Sequence, residues 1–216
     1  MTALKVYVSE KANEELLQYL EKEGYEIIKV RKKADVHEAV ACHPDIYYCQ
    51  LPSGIYEGDP GALSYKYPGD VLYNAAAVGR YFICSRFTSD DLKDKAVSLG
   101  LVPVTVPQGY VKCNLAVLDE SHVITEDRGI AKALSSIPGI ECLLIDPGEV
   151  LLPGFDHGFI GGACGRVGDK MLFNGDLSAH SRFSEIKDLC TGCGLECVYF
   201  ESYHLTDIGS ILEEII

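Results

Sequence analysis

The chain carries nine cysteines and six histidines, and a few of them stand where a thiol could act as a nucleophile. Cys164 lies in the run GFIGGACGRVGDKMLFNGDL, Gly158 to Leu177, just after Gly161 and Gly162. Glycines bring no side chain and weaken a strand, so the pair suggests room for a ligand beside the sulfur. Cys164 is therefore the preferred nucleophile. Its rival is Cys113, where the charge of neighbouring Lys112 would favour a thiolate. A nucleophilic thiol also needs an acid/base group and an orienting carboxylate. His43 and Asp45 flank Pro44, and in a strand they would point to one face and share a pocket. His157, before the glycine-rich run, is a second histidine candidate. The plainer alternatives are a small buried thiol at Cys164 and a turn at strand entry for His43 and Asp45.

Other motifs lead away from chemistry. CTGCGLEC holds Cys190, Cys193 and Cys197, and C-x2-C pairs do bind metals. GIEC and GLEC, however, place Cys142 and Cys197 at one repeated position, which reads as a strand residue, so no metal is expected. Asp127 and Asp176 read as helix caps. No phosphate-binding loop is present, and GGACGRVG leads into a strand where a dinucleotide fingerprint would lead into a helix. No cofactor is expected.

The formal net charge of -13 and the lack of a long basic run argue against nucleic acid as a partner. A small cationic substrate suits such a surface. No apolar run approaches the roughly 20 residues of a membrane span, so no membrane partner is expected. Met1 to Ser9 lacks the basic-then-apolar pattern of an export signal. Together with an odd cysteine count, this gives a cytoplasmic expectation with reduced thiols.

Positioning elements emerge from a repeat. Gly24-YEIIKV, Gly100-LVPVTV, Gly139-IECLLI and Gly194-LECVYF each pair a glycine with a β-rich run. A helical segment precedes each, as in NEELLQYLEKE, where Leu16, Leu17 and Leu20 hold helical spacing and Asn13 can cap. The glycines then read as left-handed helix stops. A strand stands before each helix (LKVYVSE, RYFICSR, HVITED, KMLFNGD). Three of these follow a further strand: DVLYNAAAVG, VKCNLAVLD and GFIGGACGRVG. Such units bury their faces only against sister units, which predicts one repeat-built α/β domain over residues 1–216. HPDIYYCQ (43–50) and LTDIGSIL (205–212) are left over, to complete the first unit or form a partial fifth. Residues 52–69, rich in proline and glycine, read as a long loop between units.

With its HPD (His43 to Asp45), KCN (Lys112 to Asn114), ITED (Ile124 to Asp127) and GFIGG (Gly158 to Gly162) motifs, this strand-strand-helix-strand pattern resembles the guanidino-group-modifying, or pentein, superfamily. More closely it is similar to an uncharacterised bacterial family with that fold. The resemblance implies a pseudo-fivefold α/β propeller, here with an incomplete first unit. It also implies a cysteine-dependent hydrolase or transferase acting on a guanidino or amidine small molecule, with Cys164 as nucleophile, His43 as acid/base and Asp45 as substrate carboxylate. Asn74, Asn114 and the Gly162–Cys164 stretch align at comparable repeat positions. The expected substrate-binding set is Asn74, Lys112, Asn114, Gly161, Gly162 and His157. Cys164 departs from the enzymes of the superfamily in having no histidine beside it. A ribosome-associated translation factor shares the fold without a catalytic site, so the alternative is a non-catalytic binding or interaction protein.

Overall fold

A computed structural model describes residues 4–214. The chain opens with β1 (Lys5–Ser9), α1 (Glu14–Lys22) and β2 (Glu26–Val30), the two strands pairing in parallel. Leu16, Leu17 and Leu20 form the buried stripe of α1, packed on Val6 and Val8 of β1. Each such leucine contributes roughly 1.5–3 kcal/mol on burial, which a nine-residue helix needs, being marginal alone. The Asn13 side chain accepts from the Glu15 N–H at 2.9 Å, and Gly24 ends the helix at φ +84°. Gly100 and Gly194 stop later helices in the same left-handed conformation, at +83° and +72°, whereas Gly139, expected to do the same, sits at +84° in a separate turn beyond a helix that Ser135 already caps.

Next come a single helical turn, α2 (Pro44–Tyr47), and the hairpin β3 (Tyr48–Leu51) and β4 (Gly54–Glu57). The stretch read as one loop over 52–69 thus begins with a strand and continues through a 3-10 turn at Pro60–Ala62. Asp59 accepts from the Gly61 N–H to start that turn. A full unit follows, with β5 (Ala76–Val78), β6 (Tyr81–Ser85), α3 (Asp90–Ser98) and β7 (Val102–Val106). Another turn, α4 (Val111–Asn114), leads β8 (Leu115–Val117), β9 (His122–Thr125), α5 (Arg128–Leu134) and β10 (Glu141–Leu144). The last unit has β11 (Cys164–Val167), β12 (Lys170–Phe173), α6 (Phe183–Gly192) and β13 (Glu196–Val198), and β14 (Leu212–Glu214) ends the described chain.

The result is a mixed α/β structure of small sheets. In each three-stranded sheet the leading strand is antiparallel to the second, and the second runs parallel to the third across a helix. The first sheet borrows its leading strand from the other end of the chain, since β14 pairs with β1 through Lys5–Glu214 and Tyr7–Leu212. Both leftover segments are therefore used: one completes the first unit, and the other starts a two-stranded unit of its own. Apolar clusters lie between helices and sheets, while the leading strands touch in a cycle: β14 on β3, β3 on β5, β5 on β8, β8 on β11, and β11 on β14.

Candidate active site

Leading strands β3, β5, β8 and β11 are each entered through a tight turn, and these turns carry most of the polar residues of the centre. Pro44 supplies a preset φ at the first position of α2, and the Tyr48 N–H closes the turn on the Pro44 carbonyl. In α4 the Asn114 N–H donates to Tyr110 O at 3.1 Å and the Leu115 N–H to Lys112 O. Comparable turns hold 71–75 and 159–163, through Asn74 N to Val71 O (3.2 Å) and Ala163 N to Phe159 O (3.1 Å). His43, Asp45, Lys112, Cys113 and Asn114 therefore stand on turns and not on strands as expected. A one-turn helix is short enough that neighbouring units, not its own sequence pattern, decide it.

The thiol at the centre is Cys113. Its Sγ donates to Asp45 Oδ2 at 2.9 Å, and the Asn74 side-chain amide donates to the sulfur at 3.3 Å. One nitrogen of His43, one carboxylate oxygen of Asp45 and this Sγ lie within 4.8 Å of one another, all buried. Asn74 ties the group together, since its Oδ1 accepts from the Lys112 N–H (2.6 Å) and the Cys113 N–H (3.3 Å). Asp207 also stands beside His43, with Oδ1 3.7 Å from His43 Nδ1. Its carboxylate is fixed by the N–H groups of Phe159 (3.0 Å) and Gly209 (2.9 Å). Ser210 completes the set, its hydroxyl donating to Asp45 Oδ2 at 2.7 Å while accepting from Lys112 Nζ at 3.2 Å. Ser210 adopts φ +73°, a left-handed conformation that costs a non-glycine residue about 1 kcal/mol or more.

Burial and like charge govern the electrostatics. Burial, then the Asp45 and Asp207 carboxylates, push the Cys113 thiol well above its ordinary value, so at neutral pH it holds its proton and donates it to Asp45. Burial raises Asp207 as well, with Asp45 adding to the rise and His43 opposing it. Glu126 is pushed up to about 7, chiefly by burial. Four buried atoms around this centre have no hydrogen-bond partner among the described residues: His43 Nδ1, Asp45 Oδ1, Asp70 Oδ1 and Glu126 Oε1. Buried polar atoms are rarely left so. Asp70 accepts from Tyr110 Oη at 2.5 Å, at the head of the turn that carries Cys113. A row of aromatic rings runs from half-exposed Tyr67 through Tyr110 and Phe159 to His157, with centroids 5.9, 6.4 and 5.7 Å apart.

Cys164 lies outside this group. Its thiol donates to Ile160 O at 3.0 Å within an apolar cluster, and burial pushes it up to about 12. The glycine pair beside it does not make room for a ligand. A Cβ on Gly162 would meet Asp207 Oδ1 at 2.1 Å, and one on Gly161 would meet Lys112 O at 2.4 Å. The glycines let a carboxylate and a neighbouring backbone approach, and the space is filled. The thiol beside His43 and Asp45 is thus Cys113, not Cys164. Asn74 stands in the group, as does the Lys112 backbone, while Lys112 Nζ turns to Ser210 and to the Gly161 and Leu115 carbonyls. Asn114 donates to Tyr110 O and supports the turn. His157 sits edge-on to Phe159 with Nδ1 2.9 Å from Gly158 O. Asp127 and Asp176 cap helical turns through Ile130 N and Ser178 N.

Asp207 and Ser210 were not singled out from the sequence, nor were Glu126, Asp70 and Tyr110. The available signal was that both leftover segments contain Asp-Ile, at Asp45-Ile46 and Asp207-Ile208. A cavity of about 510 Å³ that Lys112 also lines is bordered by leading-strand residues Gln50, Ala76, Val117, Arg166 and Glu213. No helix among the described residues is long and apolar enough to cross a membrane.

No curated protein matches the chain. Over residues 7–56 and 55–212 it matches the Family of unknown function (DUF6873), and with nearly its whole length so covered the chain belongs to that family.

Proposed function

We propose that this protein is a pentein-type α/β propeller whose central cluster performs cysteine-dependent hydrolysis or group transfer on a small guanidino or amidine cation. The cycle of contacts among the five leading strands supports the propeller reading, with β3 and β4 as a reduced unit. One observation carries the chemistry: Cys113, His43 and Asp45 bring a thiol, an imidazole and a carboxylate within 4.8 Å. Asp207 and Glu126 make the surroundings acidic, which suits a planar cation held by charge-assisted hydrogen bonds.

In this reading the resting thiol is a poor nucleophile. A cation taken up against Asp45 and Asp207 replaces the thiol proton as partner of the Asp45 carboxylate, and its positive charge lowers the cost of a thiolate. The thiol proton passes to His43 as the sulfur attacks the amidine carbon and forms a C–S bond. His43 donates a proton to the departing amine as the C–N bond breaks. Water, or an acceptor amine in a transferase, then gives its proton to His43 and adds to the same carbon, and as the C–S bond breaks the leaving sulfur takes that proton from His43 to restore the thiol. Neighbouring Cys164 has no step in this sequence.

The test is turnover. A panel of guanidino and amidino compounds is incubated with purified protein, and amine release and ureido or amide product are measured. At least one compound is expected to turn over, with Cys113→Ser slower by roughly 10³-fold or more, as loss of a nucleophile implies. A second reading, a non-catalytic module that binds such a cation, is favoured by one observation: Cys113 is satisfied by Asp45 and Asn74 and sits 2% exposed. Saturable binding without turnover across the panel would select it.

A further inference from the structure

A second group of mixed donors lies away from the Cys113 cluster. The turn from β8 to β9 holds Asp119, whose Oδ1 accepts from the N–H groups of Ser121 and His122, both at 2.7 Å. This fixes the carboxylate beside the first residue of β9, His122, with Nδ1 2.9 Å from Asp119 Oδ2. Cys193 reaches the same point from the end of α6, in the neighbouring sheet's unit. One donor atom from each of Asp119, His122 and Cys193 falls within 4.8 Å of the others. Its C-x2-C companion, Cys190, is instead buried in the apolar core, with Cys197 packed against that core. The motif therefore splits, with Cys190 and Cys197 turned inward and Cys193 turned to the imidazole and carboxylate.

We infer that Asp119, His122 and Cys193 form a binding site for a divalent transition-metal ion of the zinc type. The donor chemistry selects the ion class: a thiolate and an imidazole suit zinc, whereas calcium and magnesium take oxygen donors. Ligands around tetrahedral zinc at bonds of about 2.0–2.3 Å sit roughly 3.3–3.8 Å apart. The donors need move only by fractions of an ångström to about one ångström to reach that spacing. Metal-binding histidines commonly present their second ring nitrogen to a carboxylate. Here His122 Nε2 lies 3.6 Å from Glu141 Oε2, the residue paired with it across β10. A ring bound through Nδ1, on the Asp119 side, would turn Nε2 toward Glu141. With three protein ligands, the fourth position is left to water, the arrangement of an open zinc site. The sequence pattern hid this set because its members come from separate units, one of them from the far side of a sheet contact.

The experiment uses the full chain without an affinity tag, titrated with zinc and separately with cobalt. One metal ion per chain is expected after gel filtration, and the cobalt form should show thiolate-to-cobalt charge transfer and tetrahedral d–d absorption. Outer partners alone are worth about 10–100-fold in affinity, so Glu141→Gln should cost that much and Cys193→Ser or His122→Asn more than about 100-fold. Cys193 and His122 are partly exposed, so the metal-free variants should melt close to the wild type but gain no thermal shift from zinc. Cys113→Ser should bind zinc as the wild type does. Absence of a stoichiometric ion overturns the inference. So does a charge-transfer band that survives Cys193→Ser and disappears in Cys113→Ser, which would move the metal to the buried cluster.

Discussion

The sulfur of Cys113 lies 2.9 Å from Oδ2 of Asp45, though the two residues are 68 positions apart in the chain. Each stands on a one-turn helix at the head of a leading strand, and that relationship joins fold to proposed chemistry. A thiol that spends its proton on a buried carboxylate is stabilised as a thiol, and only a competing cation reverses the preference.

The charge of Asp45 therefore has opposite effects on the free and the occupied site. Removing it in Asp45→Asn takes away a carboxylate that raises the Cys113 thiol, so the thiol should ionise more readily. Alkylation of Cys113 by a neutral reagent should become faster than in wild type. Any acceleration by an added amidinium ion should disappear. Rates followed by mass spectrometry between pH 6 and about 9, spanning the ordinary thiol range, check both signs.

Cys164 and Cys113 should part on substitution. Cys164→Ala removes a small buried sulfur and a hydrogen bond to Ile160 O, at a cost of roughly 1–2 kcal/mol. Turnover should persist. Cys113→Ala should remove turnover with the substrate that the panel identifies. Equal losses of turnover in two well-folded variants would return the nucleophile to Cys164.

Glu126 makes stability depend on pH in a defined direction. Its folded pKa is raised to about 7, mainly by burial, from an ordinary value near 4.5. The folded state thus binds the proton more tightly than the unfolded chain does. The associated stability is fully present below about pH 4.5 and is lost as pH rises through about 7. The full change is worth about 3 kcal/mol. Glu126→Gln keeps an acceptor for the Ile160 N–H and cannot ionise. Urea unfolding should show the variant more stable than wild type at pH 8 and similar at pH 4, with a flatter profile between.

The glycines test the packing directly. Gly162→Ala would drive a methyl group into the Asp207 carboxylate, and Gly161→Ala into the Lys112 and Leu115 backbone. Each should destabilise by more than about 3 kcal/mol or prevent folding, as overpacking against fixed groups does. Gly192→Ala, at the last position of α6 with nothing within 4 Å of the added Cβ, should stabilise by about 0.5 kcal/mol. Denaturant midpoints of the three variants measure the contrast.

Much of the fold was legible in the sequence because it rests on local signals. The leucine stripe of α1, the caps at Asn13 and Asp127, and the left-handed stops at Gly24, Gly100 and Gly194 are all short-range devices. The centre was not legible for a corresponding reason. A four-residue helix carries no period, so α2 and α4 read as strand, and β4 was masked by the glycines and prolines of its neighbourhood. Asp207 and Ser210 lie between isolated bridges and a three-residue strand, where only tertiary packing gives them a role. The choice of Cys164 followed from reading Gly161 and Gly162 as space for a ligand. Their absent side chains instead accommodate Lys112, Leu115 and Asp207 from elsewhere in the chain.

The most direct measurement is labelling by 2-chloroacetamidine, a small planar cation carrying an electrophilic carbon, followed by peptide mass spectrometry over all nine cysteines. At pH 7 the account predicts a single saturable adduct on Cys113, formed much faster than with neutral chloroacetamide of the same size. The adduct should be lost in Cys113→Ser and slowed in Asp45→Asn. Labelling confined to the more accessible Cys142, Cys193 and Cys197, at the same rate for both reagents, would contradict it.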